Sequence, residues 1–322
     1  MIAANKLIKW FGAKLAVDAV SFTVAKGEVL GFLGPNGAGK STTMRMLTGY
    51  LPPTSGTISI GGHNLEDDGL AARALVGYLP ENAPVYPEMS VTGFLRFAAE
   101  ARGLWGKERN LAVERVIETC FLEPIRRQTI ETLSKGYRHR TCLAQCLLHD
   151  PPVLVMDEPT DGLDPNQKHE VRNLIRRMGA DKAIILSTHI LEEVDAVCSR
   201  AIVIDRGRLV ANGTPAELRA RSVSAGQVRV RLQGPAAKEA AAALRALDGA
   251  AAAVVDSESA AGITLIVSPN PCDGRRPNLG PAVAALVAAR HWTCDELRVE
   301  EGRLDEFFRA VTVPDTKREE KG

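Results

Sequence analysis

Neither sign of charge is in excess in this chain: 40 lysines and arginines stand against 39 aspartates and glutamates, a formal net charge of +1. A dedicated nucleic-acid binder carries a basic surplus, so no nucleic-acid partner is expected. Long apolar runs are missing too. None approaches the roughly 20 residues that a membrane-crossing helix requires, so any work at a membrane is expected to need another subunit that does the spanning. The opening Met1-Ile2-Ala3-Ala4-Asn5-Lys6 lacks the basic stretch, apolar segment and cleavage site of a signal peptide, and none is expected. Cysteine is sparse and scattered. Of Cys120, Cys142, Cys146, Cys198, Cys272 and Cys294, only Cys142 and Cys146 are close, on one expected helix, and no second pair completes a metal site. They read as small apolar packing in a reducing compartment.

What the chain does have is length and one strong motif. Its 322 residues are comfortable for one large and one small domain, each with its own core. Gly34-Pro35-Asn36-Gly37-Ala38-Gly39-Lys40-Ser41, followed by Thr42, fits the phosphate-loop pattern. The apolar Val29-Leu30-Gly31-Phe32-Leu33 before it reads as a buried strand, and Thr42 to Leu47 as the first turns of a helix. Glycines let consecutive N–H groups converge on phosphate oxygens at a helix N-terminus. Lys40 adds a positive charge for the β- and γ-phosphates, and Ser41 a hydroxyl where a magnesium ion needs an oxygen ligand.

The remaining candidates sit at the ends of predicted strands. Two antiparallel strands, Lys6 to Phe11 and Ala19 to Val24, are expected around a turn at Gly12. Phe11 there is a candidate for stacking on adenine, with Trp10 and ordinary sheet packing as alternatives. Strands are expected at Thr57 to Gly62 and at Val76 to Glu81, where Pro80 stops the second and leaves Glu81 at its end. From Ser90 to about Asp150 apolar residues recur with helical period, and Ser134 is placed to cap a helix through Cys142 and Leu147. That hydroxyl with Gly136 makes a second anion site. Val153-Leu154-Val155-Met156 is a buried strand running into Asp157-Glu158: the first carboxylate is suited to magnesium, the second to orienting or deprotonating a water. Ala183 to Ser187 is the next buried strand, and it ends in Thr188-His189, in the crevice where ligands bind in such sheets. His63, His139, His149, His169 and His291 lack that context and read as surface or packing residues.

A hairpin over Ala201 to Val210 and a short helix from Thr214 close the first domain near Arg221. Residues 222–226 read as a linker. The alanine-rich remainder has the order βαββαβ from Gln227 to Val299, which suggests a small split-βαβ sandwich, with low-complexity linker as the alternative reading of its alanine runs. A final helix starts near Gly302, and residues 313–322 form a charged tail.

GPNGAGKST, LSKGY, VLVMDEP, DGLDP and STH, in that order, resemble the cassette ATPase of ABC transporters across roughly residues 3–221. The stretches GYLPENAPVYPEMSV and LSKGYRHRTCLAQCLLHDPPVLVMDEPTDGLDPNQ look most like the branch that powers ABC-2-type exporters, including the gliding-motility-associated ATPases. The ending from Arg303 to Thr312 is similar to the C-terminal helix common in that branch. The resemblance implies an α/β fold: a P-loop NTPase core, an antiparallel β subdomain and a helical subdomain over about residues 90–150, joined here by the C-terminal α+β domain of residues 227–312. It implies ATP and magnesium as cofactors, with ATP held by Phe11, Asn36, Gly37, Ala38, Gly39, Lys40, Ser41 and Thr42. Ser41, Asp157 and Glu81 would serve magnesium, Glu158 would be the general base, and His189 would contact the γ-phosphate and attacking water. Ser134 and Gly136 resemble the signature motif that completes the opposite subunit's site, and Asp164 the loop aspartate that crosses a dimer interface. The implied partners are a second copy of the chain and an integral membrane permease, at the cytoplasmic face of the inner membrane; the aromatic and apolar residues from Tyr86 to Trp105 are the expected contact with the permease, with a helix packed on its own core as the alternative. Lys135 and Tyr137 stand where the family's signature usually has glycine and glutamine, and Glu81 where most relatives carry glutamine.

Overall fold

A computed structural model of the chain describes residues 1–82, 84–259, 262–270 and 277–312. The expected charged tail at 313–322 and Cys272 lie outside the described residues. The chain divides into two compact units, one over Met1–Pro215 and one over Ala216–Val311.

In the first unit β1 (Ile2–Phe11) and β2 (Lys14–Val24) form a hairpin that closes with Phe11 opposite Lys14. Next come β3 (Val29–Leu33), α1 (Lys40–Leu47), β4 (Ser55–Ile60), β5 (His63–Asn64), α2 (Gly69–Ala74) and β6 (Val76–Leu79). Two sheets result. An antiparallel one has the order β2-β1-β4-β5. The other has six strands and is completed by β7 (Val153–Asp157), β8 (Ala183–Thr188), β9 (Arg200–Asp205) and β10 (Arg208–Gly213), in the order β10-β9-β3-β8-β7-β6. All its pairs are parallel except the closing β9–β10 hairpin.

β3, β7 and β8 are buried at every residue, which explains their unbroken apolar runs: a parallel sheet covered on both faces has no solvent side to alternate toward. Leu7, Val20 and Ile60 of the antiparallel sheet, Met44 and Leu47 of α1, and Phe32, Val155 and Ile185 of the parallel sheet share one buried cluster. The loop between β3 and α1 is thereby fixed at both ends to a core.

Between β6 and β7 the chain is helical: α3 (Val91–Ala101), α4 (Gly106–Thr119) and α5 (Lys135–Leu147). Val91, Phe94, Leu95, Ala98 and Ala99 form the buried face of α3, and Ser90 caps it by accepting from Gly93 N at 3.1 Å. Cys120, Cys142 and Cys146 are buried free thiols whose pKa burial raises, as expected of packing residues. α6 (Pro165–Met178) links β7 to β8, and α7 (Leu191–Val197) links β8 to β9.

α8 (Pro215–Arg219) leads into the second unit, which has the order β11 (Val228–Gln233), α9 (Ala237–Arg245), β12 (Ala250–Ser259), β13 (Gly262–Pro269), α10 (Gly280–Ala289) and β14 (Thr293–Val299), with α11 (Leu304–Val311) last. Its antiparallel sheet has the order β12-β13-β11-β14, the arrangement of a split βαβ unit. The alanine-rich segments are ordinary elements of this unit: Ala240 and Leu244 of α9 pack with Val230, Leu265 and Val283 in a core of its own. The unit begins before Arg221, and residues 222–226 are bonded turns where a linker is expected. Ser222 Oγ accepts from Arg303 N at 2.9 Å, and Ser224 Oγ donates to Glu306 at 2.5 Å.

Candidate active site

The loop between β3 and α1 fits a phosphate chain. Gly39 stands at the N-cap of α1 with φ of 108°, and no side chain caps the helix, so its first-turn N–H groups face the loop. A Cβ at Gly39 would lie 2.7 Å from Ala16 O of β2, so no other residue fits there. Lys40 is 6% exposed, and its ammonium group donates across the loop to Gly34 O at 2.7 Å and Pro35 O at 3.2 Å. Ser41 follows in the same turn, half-buried. Phe11 and Trp10, in the hairpin whose β2 touches Gly39, are 48% and 45% exposed, which takes both out of the core. Lys9 Nζ lies 5.4 Å from the centre of the Phe11 ring.

The parallel register of β7 on β8 sets Asp157 beside Ser187. Asp157 is buried, and Ser187 Oγ donates to its Oδ1. Glu158 takes φ of 51°, a left-handed conformation that costs a non-glycine residue about 1 kcal/mol or more. Its N–H donates to both Ser187 O (3.1 Å) and Ser187 Oγ (3.2 Å), which holds the sharp turn at the strand end. The Glu158 side chain meets His189, whose Nδ1 is 3.0 Å from Glu158 Oε1. With the proton on Nδ1 the imidazole donates to the carboxylate and orients it. One serine therefore positions both carboxylate residues, and a histidine from the neighbouring strand end holds the second.

Glu81 and Asp157 line the same groove, of about 420 Å³, with Arg45, Tyr78, Arg102 and Gln145. Burial, and after it the charge of Asp157, push the Tyr78 phenol up to about 12, so it stays protonated there. Among the described residues no group of three or more His, Cys, Asp or Glu is placed to hold a metal ion by itself. A hydroxyl and a carboxylate are instead a donor set of the kind that holds magnesium when phosphate oxygens and water complete the shell.

Ser134, Gly136 and Asp164 form a second group and are not among the residues lining that groove. Ser134 caps α5, accepting from Tyr137 N at 3.4 Å, and Asp164 caps α6, accepting from Gln167 N at 2.9 Å. A Cβ at Gly136 would sit 2.5 Å from Gln167 Oε1, so glycine lets the two caps approach. Lys135 pairs with Asp161 at 2.6 Å.

Sequence reasoning missed Ser187, which donates to Asp157 and accepts from Glu158 N. The available signal was the hydroxyl pair Ser187-Thr188 at the end of a buried strand, where a polar residue needs a partner. His139 and His149 are packing residues whose pKa burial lowers, that of His149 to about 4.

Residues 17–161 match the family model described as ABC transporter. The chain is 38% identical over 230 residues to the Nod factor export ATP-binding protein I of Paraburkholderia xenovorans, covering 71% of this chain and 76% of that one. It is 35% identical over 222 residues to the linearmycin resistance ATP-binding protein LnrL of Bacillus subtilis, covering 69% and 71%. A solved dimeric post-hydrolysis state of the ATP-binding cassette MJ0796, bound to ADP and Pi, superposes with a TM-score of 0.62 at 22% identity over 67% of this chain and 99% of that one, a likeness of fold.

Proposed function

This chain belongs to the ABC transporter ATP-binding proteins and is an ATPase of that family, and from that premise we propose that it is the ATP-hydrolysing subunit of an ABC-2-type exporter. The observation that carries the catalytic part is the contact between Glu158 and His189 at the ends of β7 and β8, beside the buried Asp157.

In this reading the phosphates lie on the N–H groups of residues 36–42 with Lys40 on the β- and γ-phosphates, and Phe11 stacks on the adenine. Glu158 accepts the proton of the attacking water as its oxygen bonds to the γ-phosphorus and the bond to the bridging oxygen breaks. His189 orients Glu158 and contacts the γ-phosphate. Magnesium, held by Ser41, Asp157 and Glu81, would neutralise charge on the phosphate oxygens when bound.

The separate grouping of Ser134, Gly136 and Asp164 supports a site completed in trans. Two copies then enclose two ATP molecules, each copy supplying both halves of a site, and hydrolysis reopens the pair. The stroke passes to a separate integral membrane permease at the cytoplasmic face of the inner membrane. No helix among the described residues is long and apolar enough to cross a membrane. Docking falls to the segment from Tyr86 to Trp105: Tyr86, Phe97 and Trp105 are 48%, 44% and 63% exposed, and the Tyr86 ring stands edge-on to Phe97 at 5.4 Å. The second unit supports or regulates the dimer.

The test is affinity purification of the full chain from detergent-solubilised membranes with identification of what accompanies it. A stoichiometric polytopic partner that raises ATP turnover is expected. Recovery with ribosomes, or turnover indifferent to every membrane partner recovered, would overturn the exporter reading.

A further inference from the structure

A carboxylate taken out of water needs hydrogen bonds for its oxygens and a nearby positive charge, or it will not stay ionised. Glu193, the third residue of α7, is 2% exposed and has both. Thr188 Oγ1 donates to its Oε2 at 2.7 Å, and Thr160 Oγ1 donates to its Oε1. The guanidinium of Arg172 on α6 lies 3.7 Å from Oε1. Burial pushes the Glu193 carboxyl up, while Thr188 and Arg172 pull it the other way.

The two donors are what make this carboxylate informative. Thr160 lies two residues beyond Glu158, and Thr188 immediately precedes His189. Both threonines are themselves buried, at 2% and 1% exposure. Thr188 Oγ1 also accepts from Ile190 N at 2.9 Å, so the turn that presents His189 is closed by the same hydroxyl. The His189 side chain is half exposed, at 52%, so packing alone does not fix it. The backbone beneath it does, and that backbone is tied through one side chain to the loop beneath Glu158.

We propose that Glu193 is a positioning residue for hydrolysis: its two oxygens tie the loop carrying Glu158 to the strand end carrying His189 and so set the contact between those two side chains. This rests on the reading of Glu158 as general base with His189 as its orienting partner. Glu193 touches neither side chain through these bonds and is not expected to touch ATP.

The test uses the purified full chain and the variants Glu193→Gln and Thr160→Val, each nearly the shape of the residue it replaces. Steady-state turnover is expected to fall about ten- to a hundredfold in both, the scale of a sub-ångström to ångström misplacement of a catalytic group. Affinity for a fluorescent ATP analogue should change less than about twofold, because the phosphate loop is untouched. In a His189→Ala background Glu193→Gln should cost less than about twofold more, since the contact it sets is already gone. Unchanged turnover, loss of ATP affinity in step with turnover, or a full additional loss in the His189→Ala background would each overturn the proposal. If Glu193→Gln does not fold, Thr160→Val and Thr188→Val with the same three readouts decide it. Glu158→Gln run alongside separates the layers: full turnover there overturns the general-base reading and this proposal with it. Loss there with normal turnover in Glu193→Gln and Thr160→Val overturns this proposal alone.

Discussion

The two units bury their polar groups very differently. Lys40, Asp157, Thr160, Ser187, Thr188 and Glu193 are all buried in the first unit, whereas Ser222 is the one buried polar or charged residue among the described residues of the second. The strands differ in the same sense. β7 and β8 are buried throughout, while β11 and β13 alternate and leave a polar face outward. Charges on that face pair at the surface: Arg229 with Asp256 at 3.1 Å and Arg231 with Asp295 at 3.9 Å, with every side chain at least 33% exposed. Burying a polar group is costly unless it is fully bonded, and the first unit carries much of that cost around the carboxyl ends of β7 and β8, with further buried polar residues such as His139, Arg140 and Thr141 on α5. The proposed chemistry falls in the first unit, and the second unit keeps its charges at the surface.

The comparison breaks first at Lys40. Lys40→Ala removes the buried ammonium group that spans the loop and should weaken ATP affinity about a hundredfold, a large loss for a charge-assisted contact to phosphate. Titration with a fluorescent ATP analogue measures it, and affinity within a few-fold of the parent would contradict the loop's assigned role. Glu81→Gln is milder, because the groove keeps an oxygen of nearly the same position: turnover should stay within about tenfold, with an altered magnesium dependence as the main effect. A collapse of turnover would make Glu81 a proton-transfer residue in its own right.

How far the sequence carried this picture follows from how local each signal is. The strand, loop and helix from Val29 to Leu47 were legible because motif, apolar run and helix start are contiguous. Asp157-Glu158 was legible because carboxylates directly after a fully apolar strand have no packing reason to be there. The βαββαβ order could be read from periodicity even through alanine-rich segments. Ser187 and Glu193 could not, since their roles depend on the pairing of β7 with β8, across about 30 residues of chain, and on a two-point contact that no spacing rule anticipates. Residues 222–226 misled for a compositional reason: serine and glycine suit a flexible linker, but the same hydroxyls bind Arg303 N and Glu306 here.

Smaller effects sharpen the contrast from the other side. A chain ending at Arg221 loses the second core and retains the first, so its affinity for ATP with magnesium should stay within about threefold of the full chain. A folded truncated chain that binds no ATP would show that the second unit contributes to the site. Asp256→Ala should cost no more than about 1 kcal/mol of stability in denaturant unfolding and leave turnover unchanged, as for any exposed ion pair.

The most direct measurement is turnover and association state of Glu158→Gln with ATP and magnesium. The account predicts ATP affinity like that of the parent chain, hydrolysis reduced about a hundredfold or more, and an ATP-dependent shift from monomer to dimer by size-exclusion chromatography. Hydrolysis close to the parent rate, with no dimer retained, would contradict it.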